Sequence, residues 1–279
     1  MIDAMTVDHE DWFHSIEQIR PEDWAGQPCR LDEATHRLLD LFARFDLRAT
    51  FFILGAAAEQ RPGLVKRIHA AGHEIATHGY AHRLVYRQKP EEFRADLRRS
   101  MGLLQDLTGE RILGYRAPYW TITRKSYWAL DILSEEGLRY DSSIYPMRTY
   151  LYGIPGTPRF PYEIKTRNGD TLVEFPPSTI EVMGKRIPIA GGFYLRALPT
   201  WLVVRGIERI HREGHPAVVY IHPPELDPEK PVVKMGARDR ILHYHNLGTV
   251  EAKLEVLLSR FRFGPIREIL RLSPTPSTV

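Results

Sequence analysis

Three segments of the chain join an amphipathic helix to an apolar strand through a single glycine, and this repeated junction constrains the fold most. The junctions read Ala71-Gly72-His73, Glu136-Gly137-Leu138 and Glu213-Gly214-His215. A glycine just past a helix end adopts the left-handed conformation that turns the chain back. Because helices that alternate with short buried strands place those strands side by side and parallel, the repetition predicts an α/β protein.

The number of apolar runs narrows the architecture further. Thr50–Gly55 and Ala217–His222 are typical of buried strands, and Asp32–Phe45 and Pro90–Thr108 are typical of helices. In total we expect roughly seven strands, which favours a distorted or incomplete (β/α)7-type barrel over a doubly wound sheet. Active sites of such barrels lie at the carboxyl ends of the parallel strands.

Domain organisation follows from the even distribution of these patterns. The chain has 279 residues and no obvious linker, so we expect one domain over residues 1–279. Residues from about 145 to 192 are rich in Pro, Gly and Tyr, which predicts an antiparallel insertion or lid. Residues 249–279 are expected to form a C-terminal helix and strand.

Composition excludes several classes of protein. With 38 Lys plus Arg against 35 Asp plus Glu, the net charge of +3 is too small to indicate nucleic acid as a partner. The single cysteine, Cys29, excludes an internal disulfide and a cysteine-based zinc site. No apolar run reaches the ~20 residues of a membrane span, and the first residues lack a signal-peptide pattern. We therefore expect a soluble, cytoplasmic protein.

The unusual feature of the composition is the number of histidines, which is twelve. His78 and His82 are four residues apart, and they face the same way if the chain turns helical after His78. Two imidazoles and a carboxylate from another strand would complete a metal site. Asp8 and Glu10 follow a strand candidate and share a face in strand geometry, although an exposed acidic loop is an equally simple interpretation.

Two further segments carry residues suited to catalysis. Arg116 begins the segment Arg116-Ala-Pro-Tyr-Trp120. One interpretation is that it holds a carboxylate bidentately and keeps it ionised. The other is that it is a surface arginine in an ordinary turn. His222 ends an apolar strand before two prolines, where it is placed to donate a proton or to bond the backbone. Tyr119, Trp120 and Trp12 are candidates for stacking against sugar rings.

Together these segments resemble the polysaccharide deacetylases of the NodB-homology type, carbohydrate esterase family four, from Thr6 to about His222. The family's Thr-Phe-Asp-Asp motif is matched by Thr-Val-Asp-His at residues 6–9. Its His-x-x-x-His, Arg-x-Pro-Tyr and late-histidine motifs are matched at residues 78–82, 116–119 and 220–222.

The finer pattern is similar to the subgroup found at exosortase (PEP-CTERM) loci, which deacetylates exopolysaccharide. That subgroup's Thr-Phe-Phe-x-Leu-Gly, Tyr-Asp-Ser-Ser and His-Pro-x-Glu sequences stand here at residues 50–55, 140–143 and 222–225. Its C-terminal Lys-Leu-x-x-Leu-Leu sequence stands at residues 253–258.

The resemblance implies a NodB-homology fold and metal-dependent hydrolysis of N-acetyl groups on an N-acetylhexosamine-containing polysaccharide or its precursor. It implies a divalent metal, zinc first and cobalt or nickel as alternatives. By position in the motifs, the implied roles are Asp8 as general base, His222 as general acid, Arg116 and Asp141 as their supports, and His78 and His82 as metal ligands.

One departure leaves the third metal ligand open. Where the family has a second aspartate, this chain has His9. Related members and the shared face with Asp8 both indicate Glu10 as the third ligand, while Asp11 and His9 itself remain alternatives.

Two other functions are compatible with the sequence. One is hydrolysis of a small amide or cyclic imide on the same fold, and the other is carbohydrate binding without catalysis. The expected partner is a glycan, with peripheral association to a polysaccharide-synthesis complex at the inner face of the membrane. The sequence leaves the sugar, its linkage and the oligomeric state open.

Overall fold

The computed structural model describes residues 1–16, 18–227 and 229–273. Its central strands follow the apolar runs of the sequence, because each such run loses contact with water when neighbouring strands and helices cover both faces. Other strands are partly exposed. In chain order the strands are β1 (Asp3–His9), β2 (Thr50–Ile53), β3 (Glu74–Thr77), β4 (Gly114–Tyr115), β5 (Tyr140–Asp141), β6 (Tyr162–Lys165), β7 (Thr171–Glu174), β8 (Thr179–Val182), β9 (Lys185–Pro188), β10 (Val218–Ile221) and β11 (Phe263–Gly264).

The principal sheet of the described residues has the order β10-β1-β2-β3-β4-β5-β7-β6. The seven strands from β10 to β7 are parallel to one another, and β6 adds to β7 in the antiparallel direction. The short strand β11 pairs with the start of β1. β10 and β6 stand at opposite ends of this order, so the barrel is incomplete. The predicted α/β fold with an unclosed seven-stranded barrel is confirmed.

Amphipathic helices cover the outer surface of the sheet. Their apolar stripes, such as Leu38, Leu41 and Phe42 on the first helix, join one large core cluster with the strand residues. In the described residues the helices are α1 (Leu31–Arg44), α2 (Gly55–Gln60), α3 (Pro62–Ala70), α4 (Pro90–Thr108), α5 (Ala129–Glu135), α6 (Gly192–Ala197), α7 (Thr200–Arg212), α8 (Ala237–Tyr244), α9 (Val250–Arg260) and α10 (Ile266–Ile269).

The glycine junctions have the geometry that the sequence predicts. Gly72, Gly137 and Gly214 follow α3, α5 and α7 with φ angles of 84°, 84° and 87°. This left-handed conformation is disfavoured for residues with a Cβ atom, so glycine is the residue that lets each helix return directly to the sheet.

The region of residues 145–192 contributes to the fold in two different ways. β6 and β7 extend the principal sheet at its edge, whereas β8 and β9 form a separate antiparallel hairpin. A role of this region as a lid remains a prediction. Of residues 249–279, the described part contains α9, β11 and α10, and residues 274–279 lie outside the described residues. In the part of the chain that the structure describes, no helix is both long enough and apolar enough to cross a bilayer.

Candidate active site

The strand register aligns several of the sequence-predicted residues at one edge of the sheet. The last registered row across four neighbouring strands consists of His9, Ile53, Thr77 and Tyr115. Glu10, His78 and Arg116 each follow that row by one residue. On the other side of β1, Val7 is opposite Ile221, so His222 follows β10 at the level of Asp8. Residues that are distant in sequence thus meet at the carboxyl edge, as in other parallel sheets.

Glu10, His78 and His82 form a compact cluster of metal-ligand type. Each offers one ligand atom, and these atoms all lie within 4.8 Å of one another. The Glu10 Oε2 atom is 2.7 Å from His82 Nε2, and both side chains are nearly inaccessible to water. The two histidine rings have their centroids 5.3 Å apart.

The polar atoms of this cluster fit a divalent cation. Glu10 Oε2 is buried and has no hydrogen-bond partner despite its short distance to His82, so the two atoms approach without hydrogen-bond geometry. Burial raises the pKa of Glu10, but the neighbouring His82, His222 and His78 together outweigh this effect, and the net shift is downward. An ionised carboxylate beside two imidazoles is a donor set that zinc and related ions bind.

The orientation of His78 is set by the backbone of Arg116. His78 Nδ1 lies 2.8 Å from the Arg116 carbonyl oxygen. Because a carbonyl oxygen only accepts, Nδ1 carries the proton and Nε2 keeps its lone pair for a ligand. Burial lowers the pKa of His78 to about 4, so the ring is neutral at physiological pH.

The chain between the two histidines is irregular, and the predicted helical turn after His78 is wrong. Gly79 and His82 have φ angles of 73° and 50°. The Asp96 carboxylate, on α4, accepts the backbone N–H groups of Tyr80 and Ala81 at 2.6 and 3.1 Å and holds this loop. His82 therefore reaches His78 through a loop fixed by a distant acid, which the local spacing does not indicate.

Arg116 is fully buried and bonds Asp8 with one nitrogen. Its Nη1 atom donates to Asp8 Oδ1 at 2.6 Å and to the Thr6 hydroxyl at 2.9 Å. Nη2 donates to the Ser142 hydroxyl at 2.9 Å. The predicted bidentate contact is therefore wrong, because the remaining donors of the guanidinium bond neighbouring strands. The guanidinium lies over Phe52, 4.1 Å from the ring centroid.

His222 lies between two carboxylates. Its Nε2 atom is 3.7 Å from Asp8 Oδ2, and its Nδ1 atom is 3.5 Å from Glu225 Oε2. Burial lowers the pKa of His222, but the pairing with Glu225 and the charges of Asp8 and Glu10 outweigh it and raise the pKa to about 9. The ring is thus held protonated, with 28% of the side chain still exposed.

The predicted support of His222 by Asp141 is contradicted. Asp141, on β5, is in register with Glu174 of β7, and its carboxyl group bonds the Ser143 hydroxyl and contacts Glu174. The carboxylate that pairs with His222 is Glu225, to which the sequence reasoning assigned no role. The signal was present in the spacing His222-Pro-Pro-Glu225, because a short turn of this kind brings the fourth residue back to the first.

The alternatives for the third ligand point elsewhere in the structure. His9 Nε2 bonds the Thr35 hydroxyl on α1 at 3.0 Å. Asp11 Oδ2 accepts the backbone N–H groups of Arg30 and Leu31 at 2.9 and 3.1 Å, at the start of α1. Of the three candidates for the third ligand, His9, Glu10 and Asp11, the structure places Glu10 beside His78 and His82.

Two of the three predicted sugar-stacking aromatic residues are core residues. Trp12 is 3% exposed and its Nε1 donates to the Pro28 carbonyl, while Trp120 is 5% exposed and packs between Arg116 and Tyr220. Neither ring offers a face to a sugar, so these two predictions are wrong. Tyr119 is half-buried, and its ring centroid lies 4.8 Å from that of His82.

A further buried histidine, His14, was not singled out by the sequence. Its Nδ1 accepts the Asp11 N–H at 2.9 Å, and Nε2 is buried without a partner. Burial lowers the pKa of His14 to about 3. Its distinguishing features, burial and a neutral ring, arise from packing against Phe13 and Trp24 and cannot be read from local sequence.

Two family models match adjoining parts of the chain. Residues 24–140 match "Polysaccharide deacetylase", and residues 142–271 match a domain of unknown function, DUF3473. Together the two matched regions contain His78, His82, Arg116 and His222, whereas Asp8 and Glu10 precede them.

The curated proteins that the chain resembles include several deacetylases of polysaccharides. A chitooligosaccharide deacetylase of Sinorhizobium fredii is 30% identical over 193 residues, which cover 59% of this chain and 84% of the relative. A peptidoglycan deacetylase of Helicobacter pylori is 35% identical over 108 residues, which cover 39% of this chain and 36% of the relative. The chain belongs to the polysaccharide deacetylase family. It spans less than half the length of the first curated relatives that it matches.

A solved structure from Mycobacterium smegmatis, provisionally assigned as a polysaccharide deacetylase, has the same fold. It superimposes with a TM-score of 0.65 at 20% sequence identity, covering 100% of this chain and 94% of the other.

Proposed function

We propose that the protein is a divalent-metal-dependent hydrolase that removes N-acetyl groups from a glycan. The observation that carries the proposal is the position of Asp8, between Arg116 and His222 and beside the Glu10–His78–His82 cluster. A base, an acid and a cation site at one edge are groups that metal-assisted amide hydrolysis uses.

The cation site consists of Glu10, His78 and His82. When bound there, a divalent ion supplies Lewis acidity at the amide carbonyl and makes water more acidic. The chain's contribution is to keep the carboxylate ionised and the His78 ring neutral, and to hold Nε2 of His78 toward the ion through the Arg116 carbonyl.

Asp8 and His222 move the protons. Asp8 takes a proton from the attacking water as the water oxygen bonds to the carbonyl carbon. His222 Nε2 then gives its proton to the nitrogen as the carbon–nitrogen bond breaks, so the products are acetate and a sugar amine. The bond from Arg116 to Oδ1 leaves Oδ2 of Asp8 to face His222.

For the substrate, we propose an N-acetylhexosamine-containing polysaccharide or its precursor in exopolysaccharide synthesis. The relatives are deacetylases of peptidoglycan and chitooligosaccharides, which supports an N-acetylated sugar as the reacting unit. Tyr119 is the predicted aromatic residue left beside the site to contact it. Cytoplasmic action, on a precursor near a synthesis complex, stays a prediction, and the free thiol of Cys29 is consistent with it.

Acetate release from N-acetylglucosamine oligomers, with added zinc, cobalt or nickel, tests this function. We expect metal-stimulated release by the wild type, and loss of both activity and bound metal in His78→Ala. His69→Ala, which changes a histidine on the outer surface of α3, is the matched control and keeps both. Metal binding measured on the same samples reports the site independently of turnover. Hydrolysis of a small cyclic imide without acetate release, or failure to bind metal, would overturn the proposal.

A further inference from the structure

One of the carboxylates that face His222, that of Glu225, belongs to a chain of contacts within the part that matches the domain of unknown function. Glu225 Oε2 accepts the His222 backbone N–H at 3.1 Å and lies 3.5 Å from the imidazole Nδ1. The other oxygen, Oε1, accepts from Arg196 Nε at 2.8 Å. The Arg196 and Glu225 side chains are 5% and 6% exposed, so water does little to weaken their pairing.

Arg196 is itself held in place from two sides. Its Nη1 and Nη2 atoms donate to the carbonyl oxygens of His245 and Leu242, at 2.8 and 2.5 Å, at the end of α8. A guanidinium with all its directions bonded is rigid, unlike a surface arginine. The position of Glu225 is therefore determined by the packing of α6 against the end of α8.

Lys253 anchors the same unit. Its ammonium group donates to the carbonyl oxygens of Leu195, Arg196 and Leu198, at 2.9, 2.8 and 2.7 Å, around the last turn of α6. Lys253 is 9% exposed, and a nearly buried lysine with three carbonyl acceptors is a structural cap for a helix end. Lys253, near the start of α9, thus holds the end of the helix that carries Arg196.

We propose that residues 142–271 position the proton donor, His222, through a series of contacts that we call the relay. The relay runs from Lys253 to Arg196, from Arg196 to Glu225 and from Glu225 to His222. The proposal rests on the function proposed above. Lys253 fixes the backbone of Arg196, Arg196 fixes the Glu225 carboxylate, and Glu225 orients Nδ1 of His222 so that Nε2 faces Asp8. In this arrangement Glu225, Arg196 and Lys253 are positioning residues.

The relay has a definite electrostatic consequence. The charged groups facing His222 are Asp8 and Glu10 from the β1 side and Glu225 from its own turn, with Lys230 interacting with Glu225 and Glu10. Glu225 is ionised, because the Arg196 charge and the pairing with His222 lower its pKa to about 2 against the effect of burial. Removing the negative charge of Glu225 therefore disfavours the protonated form of His222 and lowers the pKa of its ring.

The first test is a direct titration of the His222 ring by NMR in the metal-free protein, with the signal assigned through His222→Gln. In Glu225→Gln we expect the pKa of His222 to fall by about one unit or more. Glu213→Gln breaks the pair with Arg159 in the same part of the chain and is the matched control, with an unchanged titration.

The second test is the pH profile of acetate release. Because His222 acts in its protonated form, Glu225→Gln should move the upper pH limit of kcat to lower pH, with KM little changed. At pH 8 a fall of one unit in the pKa of His222 reduces kcat about twofold, and a fall of two units reduces it about tenfold. Glu225→Asp, which keeps the charge, should restore part of the lost rate. Arg196→Lys and Lys253→Met should show the same shift in smaller degree.

The two tests separate the relay from the proposed function. If the wild type releases no acetate, the proposed function fails while the NMR titration still measures the relay. An unchanged His222 titration in Glu225→Gln would overturn the relay even in an active enzyme. Should Glu225→Gln not fold, the same titration of Arg196→Lys and Lys253→Met decides the question.

Discussion

At the residue scale, the two oxygens of Asp8 have different partners. Oδ1 is bonded to the Arg116 guanidinium at 2.6 Å, and Oδ2 faces His222 Nε2 at 3.7 Å. A carboxylate divided in this way keeps its orientation through one oxygen and offers the other to a proton. This division is the structural basis for assigning Asp8 to proton transfer and Glu10 to the cation.

Asp8→Asn separates these two assignments. The amide keeps the size of the side chain but cannot accept the proton of water, so kcat should fall by about 10²–10⁴-fold. Metal content should stay at the wild-type level, because Asp8 is outside the ligand cluster. Acetate release and metal analysis on the same sample check both. Asp131→Asn, which removes an acid paired with Arg167 on the surface, should change neither.

We expect the Trp120 ring to contribute to the stability of the fold and not to substrate binding. The ring lies under the Arg116 guanidinium and against Tyr145 and Tyr220. Trp120→Ala leaves a cavity there and should lower the free energy of unfolding by about 3–5 kcal/mol. Urea denaturation measures the loss, and Trp201→Ala, at a side chain 58% exposed, is the control with little change. Unaltered stability in Trp120→Ala would return the ring to the list of substrate contacts.

At the element scale, the glycine junctions and strand ends could be predicted because their causes are local. Gly72 requires a left-handed conformation, and His78 and His222 directly follow apolar runs. The contacts that orient these residues could not be predicted, because they join distant elements. Asp96 holds the loop before His82 from the middle of α4, and no periodicity in the sequence links the two.

The dependence on distant elements also explains why the prediction that Asp141 supports His222 was wrong. A family motif places an acid at the end of β5, but its partner depends on which strand lies beside it. Here β7 places Glu174 next to Asp141, and the two carboxyl groups contact each other in the core. Glu174 Oε1 also accepts the Ile144 N–H at 2.9 Å, so the pair organises the backbone after β5.

This carboxyl pair predicts a pH dependence of stability. Burial raises the pKa of Glu174, and of Asp141 to about 6, so the folded protein holds a proton that the unfolded chain releases. The stabilisation is complete below the unfolded pKa values near 4 and is lost as pH rises through the folded ones. In Glu174→Gln the amide needs no proton, so the free energy of unfolding should fall less between pH 5 and pH 8.

Urea titrations at several pH values compare the two proteins. Glu163→Gln, at an exposed position of the neighbouring strand β6, is the control and should follow the wild type. Parallel pH curves for wild type and Glu174→Gln would show that the pair does not share a proton.

At the scale of the whole molecule, the site combines two parts of the chain. The earlier part of the chain contributes residues at or after the ends of β1, β3 and β4, which are Asp8, Glu10, His78, His82 and Arg116. The part matched by the domain of unknown function contributes His222, Glu225 and Arg196. They meet because β10 lies beside β1 in the sheet. The fold therefore makes the proposed proton donor dependent on the later part, although the proposed cation ligands come from the earlier one.

The pairing of β1 with β10 also has a consequence during synthesis. A ribosome releases β1 first and β10 only after α7, so the nascent chain carries β1 for a long interval without one of its neighbours. All seven residues of β1 are buried in the finished protein, and one of its edges stays unpaired until β10 arrives. A chain that ends between Arg116 and His222 thus leaves this edge of β1 unpaired, which makes such an intermediate more prone to aggregation than the completed protein.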